Sequence, residues 1–365
     1  MPWMRRVEVI ITNKDDASKK TVFSKHKIDF EVRSTVGWPA DTANITLYNL
    51  SLEEVKFLQD RKFGNFYIEI RVGYEDTLSD GSSSNITVYG SGGQKSLEMA
   101  SVLTAADTVF SGVITNAVGY KRSPEHVTQL YCISKAYLGS TQFKQMRNIK
   151  AGSTLGDAIK SMCEDYGFGT VSKFGVKDEV LAAKLPRGRV FHDTFLVEFR
   201  ALLGEYNLLF QMTTSEIQIF PDTYGDKDAV VRMSKDRQNI RLDVNQVIGN
   251  PIAGICTYRL NTFINASIQP GMIIDVTPLL GKEILANGVT AIQGAGVVLN
   301  TNQAVFQWAM EDKYFIMEVV HFGSTHATEF QTSISAIIGG NSAMGLKEME
   351  WQDMYARAGM TEVEF

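Results

Sequence analysis

Ala43-Asn44-Ile45-Thr46-Leu47-Tyr48-Asn49-Leu50-Ser51 is the segment from which the rest of the chain is best read. Ile45, Leu47 and Asn49 fall on one face of an extended chain and Thr46, Tyr48 and Leu50 on the other, the period-two alternation of a strand. Neither face is wholly polar, so both are expected to be covered. The strand stops at Ser51, which with Glu54 makes Ser-x-x-Glu, the pattern of a capping box in which each side chain satisfies an orphan amide of a new helix. A helix over about Leu52 to Arg61 follows.

Strands dominate on either side of this segment. Alternating runs occur at Val7 to Ile11, Lys27 to Arg33, Asn65 to Val72, Ser84 to Tyr89, Thr108 to Asn116 and Val127 to Ile133. Many short strands joined by Gly-rich and Ser-rich turns point to a barrel or a sandwich. Residues 75–106 form a long Gly-rich and Ser-rich excursion with room for one hairpin, a loop type that is usually exposed and often binds partners.

The pattern changes over residues 138–225. Leu155, Ala158, Ile159, Met162 and Tyr166 recur at helical spacing behind the cap candidates Ser153 and Thr154, and Gly167 supplies the stop. A second helix is read behind Asp193 as N-cap, burying Phe195, Phe199, Leu202, Leu203 and Tyr206 and breaking near Asn207. Leu208 to Met212 and Glu216 to Phe220 read as a hairpin ended by Pro221. This is a small α/β module.

Strands return at Val230 to Met233, Ile240 to Val247, Ala253 to Leu260, Met272 to Val276, Ala304 to Trp308, Tyr314 to Phe322 and Glu329 to Ala336, with a hairpin-like, weakly apolar stretch at Gly281 to Gly296. After Gly339-Gly340 comes a tail in which Lys347 to Phe365 carries five carboxylates against two basic side chains. Trp351, Met354 and Tyr355 in that tail suit a short amphipathic helix that docks on a neighbour, with Trp351 and Tyr355 as the docking residues, and a frayed terminus suits the same stretch equally. The expected class is α+β, mainly β: residues 1–137 and 226–340 strand-rich, 138–225 the α/β module and 341–365 the acidic tail.

Bulk properties narrow the function. A chain of 365 residues is expected to hold two or three domains. A formal net charge of −5 argues against coating DNA, which needs clustered Lys and Arg. Met1 to Thr12 lacks the apolar run of a signal peptide, and no stretch reaches the roughly 20 apolar residues of a membrane-spanning helix. Assembly in the cytoplasm is therefore expected. Cys132, Cys163 and Cys256 are isolated and odd in number, which fits small core residues in a reduced compartment.

The search for chemistry is largely negative. His321 and His326 share neither a helix face nor a strand face and have no third ligand beside them, so no metal is expected; His321 is read as ending a strand. His192-Asp193 suggests an acid-base pair, but Asp193 suits a helix cap better. There is no Gly-x-Ser-x-Gly elbow and no phosphate-binding Gly-x-x-x-x-Gly-Lys loop, and Gly294-x-Gly296 lacks the third glycine of a dinucleotide site. No cofactor is expected. Glu164, Asp165, Glu198 and Glu205 are the carboxylates available for cutting a glycosidic bond as a pair, although helix positions facing solvent account for them as well. Trp38, Trp308 and Trp351 read as core or interface anchors.

Taken in order along the chain, the motifs resemble those of baseplate hub proteins from contractile-tailed bacteriophages, a family related to late control proteins and type VI secretion spike hubs. Asn44 to Ser51, Gly73-Tyr74 and Val109-Phe110-Ser111-Gly112-Val113-Ile114 look like the first barrel of that family. Gly152 to Leu155, Tyr166-Gly167-Phe168 and Tyr206-Asn207 look like its middle module. Ile248-Gly249-Asn250-Pro251, Leu260-Asn261 and Ile268-Gln269-Pro270-Gly271-Met272 look like its second barrel, and Val319 to Gly323 with Phe330-Gln331-Thr332 like its closing strands. The excursion at 75–106 is longer than the family's minimal form.

The resemblance implies two tube-like antiparallel β-barrels separated by the α/β module. It also implies a homotrimer in which six barrels match a sixfold tail tube protein to a threefold central spike protein, beside baseplate wedge or other hub proteins. DNA and a tape-measure protein would pass through the lumen without specific binding, and the chain would reside in the virion tail and not be an enzyme. Tyr48, Asn49, Leu50, Gly73, Tyr74, Gly249, Pro251, Pro270 and Gly271 are then fold and subunit-packing residues. Two other functions are carried as alternatives: a tail-associated peptidoglycan hydrolase, and a host-glycan-binding adhesin using loops such as Ser79 to Gly93.

Overall fold

A computed structural model describes residues 4–14, 20–37, 41–59, 66–75, 107–144, 146–167, 170–213, 216–223, 228–237, 239–253, 257–279, 284–285 and 313–337. The expected strands at Ser84 to Tyr89 and Ala304 to Trp308, most of the 281–296 stretch, Cys256, the three weighed tryptophans and the tail with Trp351 and Tyr355 lie outside them.

Seven strands arise in the first region: β1 (Met4–Asn13), β2 (Lys20–Phe23), β3 (Ile28–Thr35), β4 (Thr42–Tyr48), β5 (Phe66–Glu75), β6 (Asp107–Arg122) and β7 (Glu125–Ser134). Helix α1 (Leu52–Gln59) follows β4. The capping box forms as read: the Ser51 amide donates to Glu54 Oε2 at 2.7 Å and the Glu54 amide to Ser51 Oγ at 3.3 Å. Ala43, Ile45 and Leu47 of β4 are buried while Asn44 is exposed. Burying an Ile or Leu side chain is worth about 1.5 to 3 kcal/mol, so a one-residue slip of this strand would forfeit several such terms at once.

The middle module contains α2 (Lys135–Gln142), β8 (Arg147–Ile149), α3 (Leu155–Tyr166), β9 (Val171–Lys173), α4 (Asp178–Leu181), β10 (Arg189–Phe191), α5 (Phe195–Gly204), β11 (Leu208–Met212) and β12 (Ile217–Pro221). Helix α3 begins at Thr154, whose hydroxyl accepts the Asp157 amide at 3.1 Å, and ends at Gly167 with φ 99°. Its buried face is Leu155, Ala158, Ile159, Met162 and Cys163, packed with Phe195, Phe199, Leu202 and Leu203 of α5. The cap of α5 differs from the reading: the N-cap is Thr194, and Asp193 instead accepts the Thr194 amide at 2.6 Å.

The last region opens with α6 (Ala229–Asp236), where a strand was expected over Val230 to Met233. The β-branched pair Val230-Val231 suggests a strand locally, but Ala229, Val230 and Met233 are placed by helical spacing into one core with Ile273, Phe315 and Phe220, and that burial outweighs propensity. Then come β13 (Asn239–Arg241), β14 (Val247–Ala253), β15 (Thr257–Phe263), β16 (Ile273–Asp275), β17 (Ile284–Leu285), β18 (Lys313–Ser324) and β19 (Phe330–Ile337).

Both strand-rich regions belong to one 14-stranded sheet, ordered β17-β14-β15-β19-β18-β3-β4-β7-β6-β5-β1-β2, with β16 on β18 and β13 on β16. The ladder is antiparallel apart from the β13–β16 and β14–β17 pairs, and it does not close on itself among the described residues. The module keeps two small sheets of its own, β8-β10 and β9-β12-β11. The chain is thus α+β, mainly β.

Candidate functional site at the seam between the strand-rich regions

Strand β18 joins the two regions because it is long enough to serve both. Its first residues, Lys313 to Phe315, pair with β16, and Glu318 to Ser324 pair with β3. The handover falls at a register shift between Ile316 and Glu318, where a bulge leaves Met317 outside the β19 ladder. The freed groups find partners: the Ile316 amide donates to Met272 O and the Gly271 amide to Ile316 O, both at 2.8 Å, and the Val36 amide donates to Met317 O at 2.9 Å.

His321 sits in the shared half of β18, opposite Val32 of β3 and Thr332 of β19. It does not end the strand, which continues to Ser324. The ring is buried, with Nδ1 at 2.9 Å from Thr332 Oγ1 and a second contact to the Ile268 backbone. Burial outweighs that backbone bond and lowers its pKa to about 4, so the imidazole is neutral in the folded chain. His326 lies beyond the strand and bonds Thr325, and among the described residues no group of metal-ligating side chains forms.

Strands β1 and β5, at the far side of the first region from β3, also reach this seam, without strand pairing. Arg5 of β1 places its guanidinium among main-chain oxygens of the β18–β19 turn, donating to Ser324 O at 3.0 Å, Thr328 O at 2.8 Å and also Ala327 O. The same guanidinium lies 5.2 Å from the Phe330 ring centre. Tyr74 meets Phe330 edge-on at 5.3 Å, and its hydroxyl reaches the Ile264 backbone. Phe30 approaches Phe330 from β3 at 5.9 Å. Gly73-Tyr74 therefore contributes to packing between regions of one chain.

The other motif residues resolve into local tasks. Tyr48 donates its hydroxyl to Asp29 Oδ2 at 2.7 Å beneath the Lys27 ammonium, and the Asp29 bond is the main reason its pKa is pushed up to about 12. Asn49 takes φ 54° and bonds His126 through both its amide and its Oδ1, closing the end of β4 against β7. Leu50 packs on the first core. Gly249, with φ 74°, lies in the irregularity of β14 with Pro251 beside it. Pro270-Gly271 is a contact with the module: Gly271 has φ 80°, and a Cβ there would land on the Phe220 ring.

A cavity of about 570 Å³ lies where the first sheet, the module and the seam meet, with Ser34, Asp41, Lys135, Gln211, Gln269 and His321 in its wall. Burial raises the Asp41 carboxyl to about 7 against the opposing effect of its bonds to Ser34 and the Thr35 backbone.

The carboxylates considered for glycan hydrolysis have other engagements. Glu198 is buried, not solvated, and its Oε1 accepts the His192 and Asp193 amides at 3.1 and 3.2 Å. Glu205 pairs with Arg189 at 2.6 Å, Asp165 with Arg147 at 2.5 Å, and Glu164 with Lys160 at 3.9 Å. Cys132 and Cys163 are buried, and desolvation raises both thiols. Sequence reasoning missed Arg5, because a lone basic residue near the start of a strand carries no signal of the turn it reaches more than 300 positions away.

No protein-family model and no curated protein matches the sequence. Similar solved structures include a tail protein from Neisseria meningitidis, at 9% identity over 91% of this chain and 96% of that one with a TM-score of 0.49. The 43 kDa tail protein of prophage MuSo2 from Shewanella oneidensis is similar at 7% identity over 91% and 96%, TM-score 0.48. An Escherichia coli protein described as a component of the type VI secretion system is similar at 12% identity over 88% and 78%, TM-score 0.45. These are partial likenesses of fold.

Proposed function

We propose that the chain is a structural hub of a phage tail baseplate: a homotrimeric adaptor between the sixfold tail tube and the threefold central spike, forming part of the channel for DNA and tape-measure protein. The observation that carries this reading is the continuous sheet, in which β1 to β7 and β13 to β19 each contribute seven strands joined at β18 and β3. Each half would act as one tube-like wall, so that a trimer presents six. Heterologous, ring-closing contacts between copies would cover the remaining strand edges. Residues 1–137, 138–225 and 226–340 would serve as first wall, module and second wall. Tyr48, Asn49, Leu50, Gly249 and Pro251 would shape the surfaces between copies, and Trp351 and Tyr355 would dock on a neighbouring baseplate protein.

Alternation supports the reading. Strand β19 is buried at Phe330, Thr332, Ile334 and Ala336 and half-buried at Gln331, Ser333 and Ser335, and β15 alternates in the same sense. A wall needs one face for its core and one for its channel. Multi-angle light scattering of the purified chain at micromolar concentration, followed by cryo-electron microscopy of tails, tests the proposal. A trimer on the tail axis is expected; a monomer that never enters tails, or a position at the outer rim, would overturn it.

A further inference from the structure

The two-stranded β8–β10 ribbon covers the core of the module with one face and turns the other to solvent. Ile149 and Phe191 belong to the core, while Asn148 and Val190, paired in the ladder, lie on the outer face. The same register continues past the ladder, since Lys144 bridges Thr194, and it places Met146 opposite His192 on that face. Met146 is 84% exposed and its diagonal neighbour Val190 is 64% exposed, a spacing at which both can touch one partner. Exposed Lys150 continues the row of Lys144 and Met146. The ion pairs of this part of the module, Arg147 with Asp165 and Arg189 with Glu205, leave Lys144 and Lys150 without a carboxylate among the described residues. The acids beside His192 are turned to main-chain amides, Asp193 to that of Thr194 and Glu198 to that of His192. An exposed apolar centre flanked by unpaired lysines suits an acidic segment with large apolar side chains.

We infer that this outer face receives the acidic segment Lys347 to Phe365 of this protein. Charge selects that occupant: the segment carries five carboxylates against two basic side chains. Three of the five, Glu348, Glu350 and Asp353, fall among Trp351, Met354 and Tyr355, which supply the apolar bulk to cover Met146 and Val190. Reach allows it. Ile337, the last described residue, packs beside Phe174, Leu209 and Phe220 of the module, so the chain leaves the sheet next to that unit. The fourteen residues from there to Trp351 can span about 45 Å, whereas a unit of about 100 residues has a radius of gyration of only about 13 Å. The inference rests on the docking role given above to Trp351 and Tyr355 and names the surface that takes them; in a trimer each face would take the segment of the next copy.

The test is photo-crosslinking in the full chain, with Val190 or, separately, Met146 replaced by p-benzoylphenylalanine, followed by digestion and mass spectrometry. Both positions are exposed, so neither replacement disturbs a core. The joined peptides are expected to come from residues 347–365. Lys144→Glu with Lys150→Glu should lower the yield about tenfold, and adding Glu350→Lys with Asp353→Lys should restore it. Folded chains joined at both positions only to other segments, or to nothing, overturn the inference, as does a yield unchanged by the charge reversal. Isotopically light and heavy chains, refolded together, separate this inference from the hub reading. Crosslinks between light and heavy chains support both, whereas crosslinks within one label alone support the docking face and take the neighbour away from Trp351 and Tyr355. A trimer by light scattering whose face captures nothing from 347–365 keeps the hub and removes the docking face.

Discussion

Replacing Arg5 with alanine is expected to open the contact of β1 with the seam. The guanidinium makes charge-assisted hydrogen bonds to Ser324 O at 3.0 Å and Thr328 O at 2.8 Å, each worth about 1.5 to 3 kcal/mol where water is excluded. The turn is largely exposed, and water can take over part of what Arg5 supplies, so the lower bound for the two bonds, about 3 kcal/mol, is an upper limit here. Its contact with Phe330 adds about 0.5 kcal/mol. A loss of about 2 kcal/mol in local opening is the working value, close to a 30-fold change in an exchange equilibrium. Hydrogen exchange followed by mass spectrometry reads this directly. Amides of Ser324 and Thr325, bonded to Glu329 O and Ile28 O, should lose about 30-fold protection while those of β11 and β12 in the module keep theirs. Arg5→Lys should recover only part, because an ammonium cannot reproduce the fork of a guanidinium. Equal protection of the turn in Arg5→Ala and the unchanged chain would refute the argument.

Three further outcomes follow from the same structure. Gly271→Ala forces a side chain into φ 80° and onto the Phe220 ring, and urea unfolding should show a loss of about 3 kcal/mol; a change below about 1 kcal/mol would mean the module does not rest on this contact. His321 and Asp41 should tilt stability against pH in opposite senses. His321 has its pKa lowered to about 4, so its stabilising contribution is present above pH 6.5, declines as pH falls toward 4, and amounts to about 3 kcal/mol at full extent. Asp41 has its pKa raised to about 7, so its contribution is present below pH 4 and is lost as pH rises through 7. Unfolding midpoints of His321→Gln between pH 4 and 6.5, and of Asp41→Asn between pH 4 and 8, should each show a flattened profile; unchanged slopes would contradict the assignment. Glu198→Gln should weaken the module by about 1 to 2 kcal/mol by loosening its hold on the His192 and Asp193 amides, measurable as a lower thermal midpoint. An unaffected midpoint would free Glu198 for another role.

Local rules carried far in this chain. The Ser51 and Glu54 capping box, the Thr154 cap and Gly167 stop of α3, and the Leu208 to Pro221 hairpin all form where the residue chemistry places them, because each depends on atoms within a few positions. Two of the readings that failed depend on distant atoms, and the third, at Asp193, on a carboxylate five positions on. Val230-Val231 becomes helical because Met233 and Ala229 must reach Phe315 and Ile273. Asp193 yields the cap to Thr194 because Glu198 turns back to hold the two amides before it. His321 continues a strand because β3, almost 300 residues earlier, supplies its partner.

Alternation of apolar and polar side chains by itself marked the strands of the two strand-rich regions, since a strand's period of two is written into consecutive residues. It also located a helical module between two strand-rich regions. That β4 buries one face only, where both were expected to be covered, was decided by the tertiary structure. Only the tertiary structure decided that those regions share one sheet. That outcome rests on β18, whose two halves pair with β16 and β3 across a bulge, and on Arg5 and Tyr74 meeting the β18–β19 turn. Hydrogen-bond partners of a strand edge are chosen by whichever edge arrives in register, and no residue of either strand names the other.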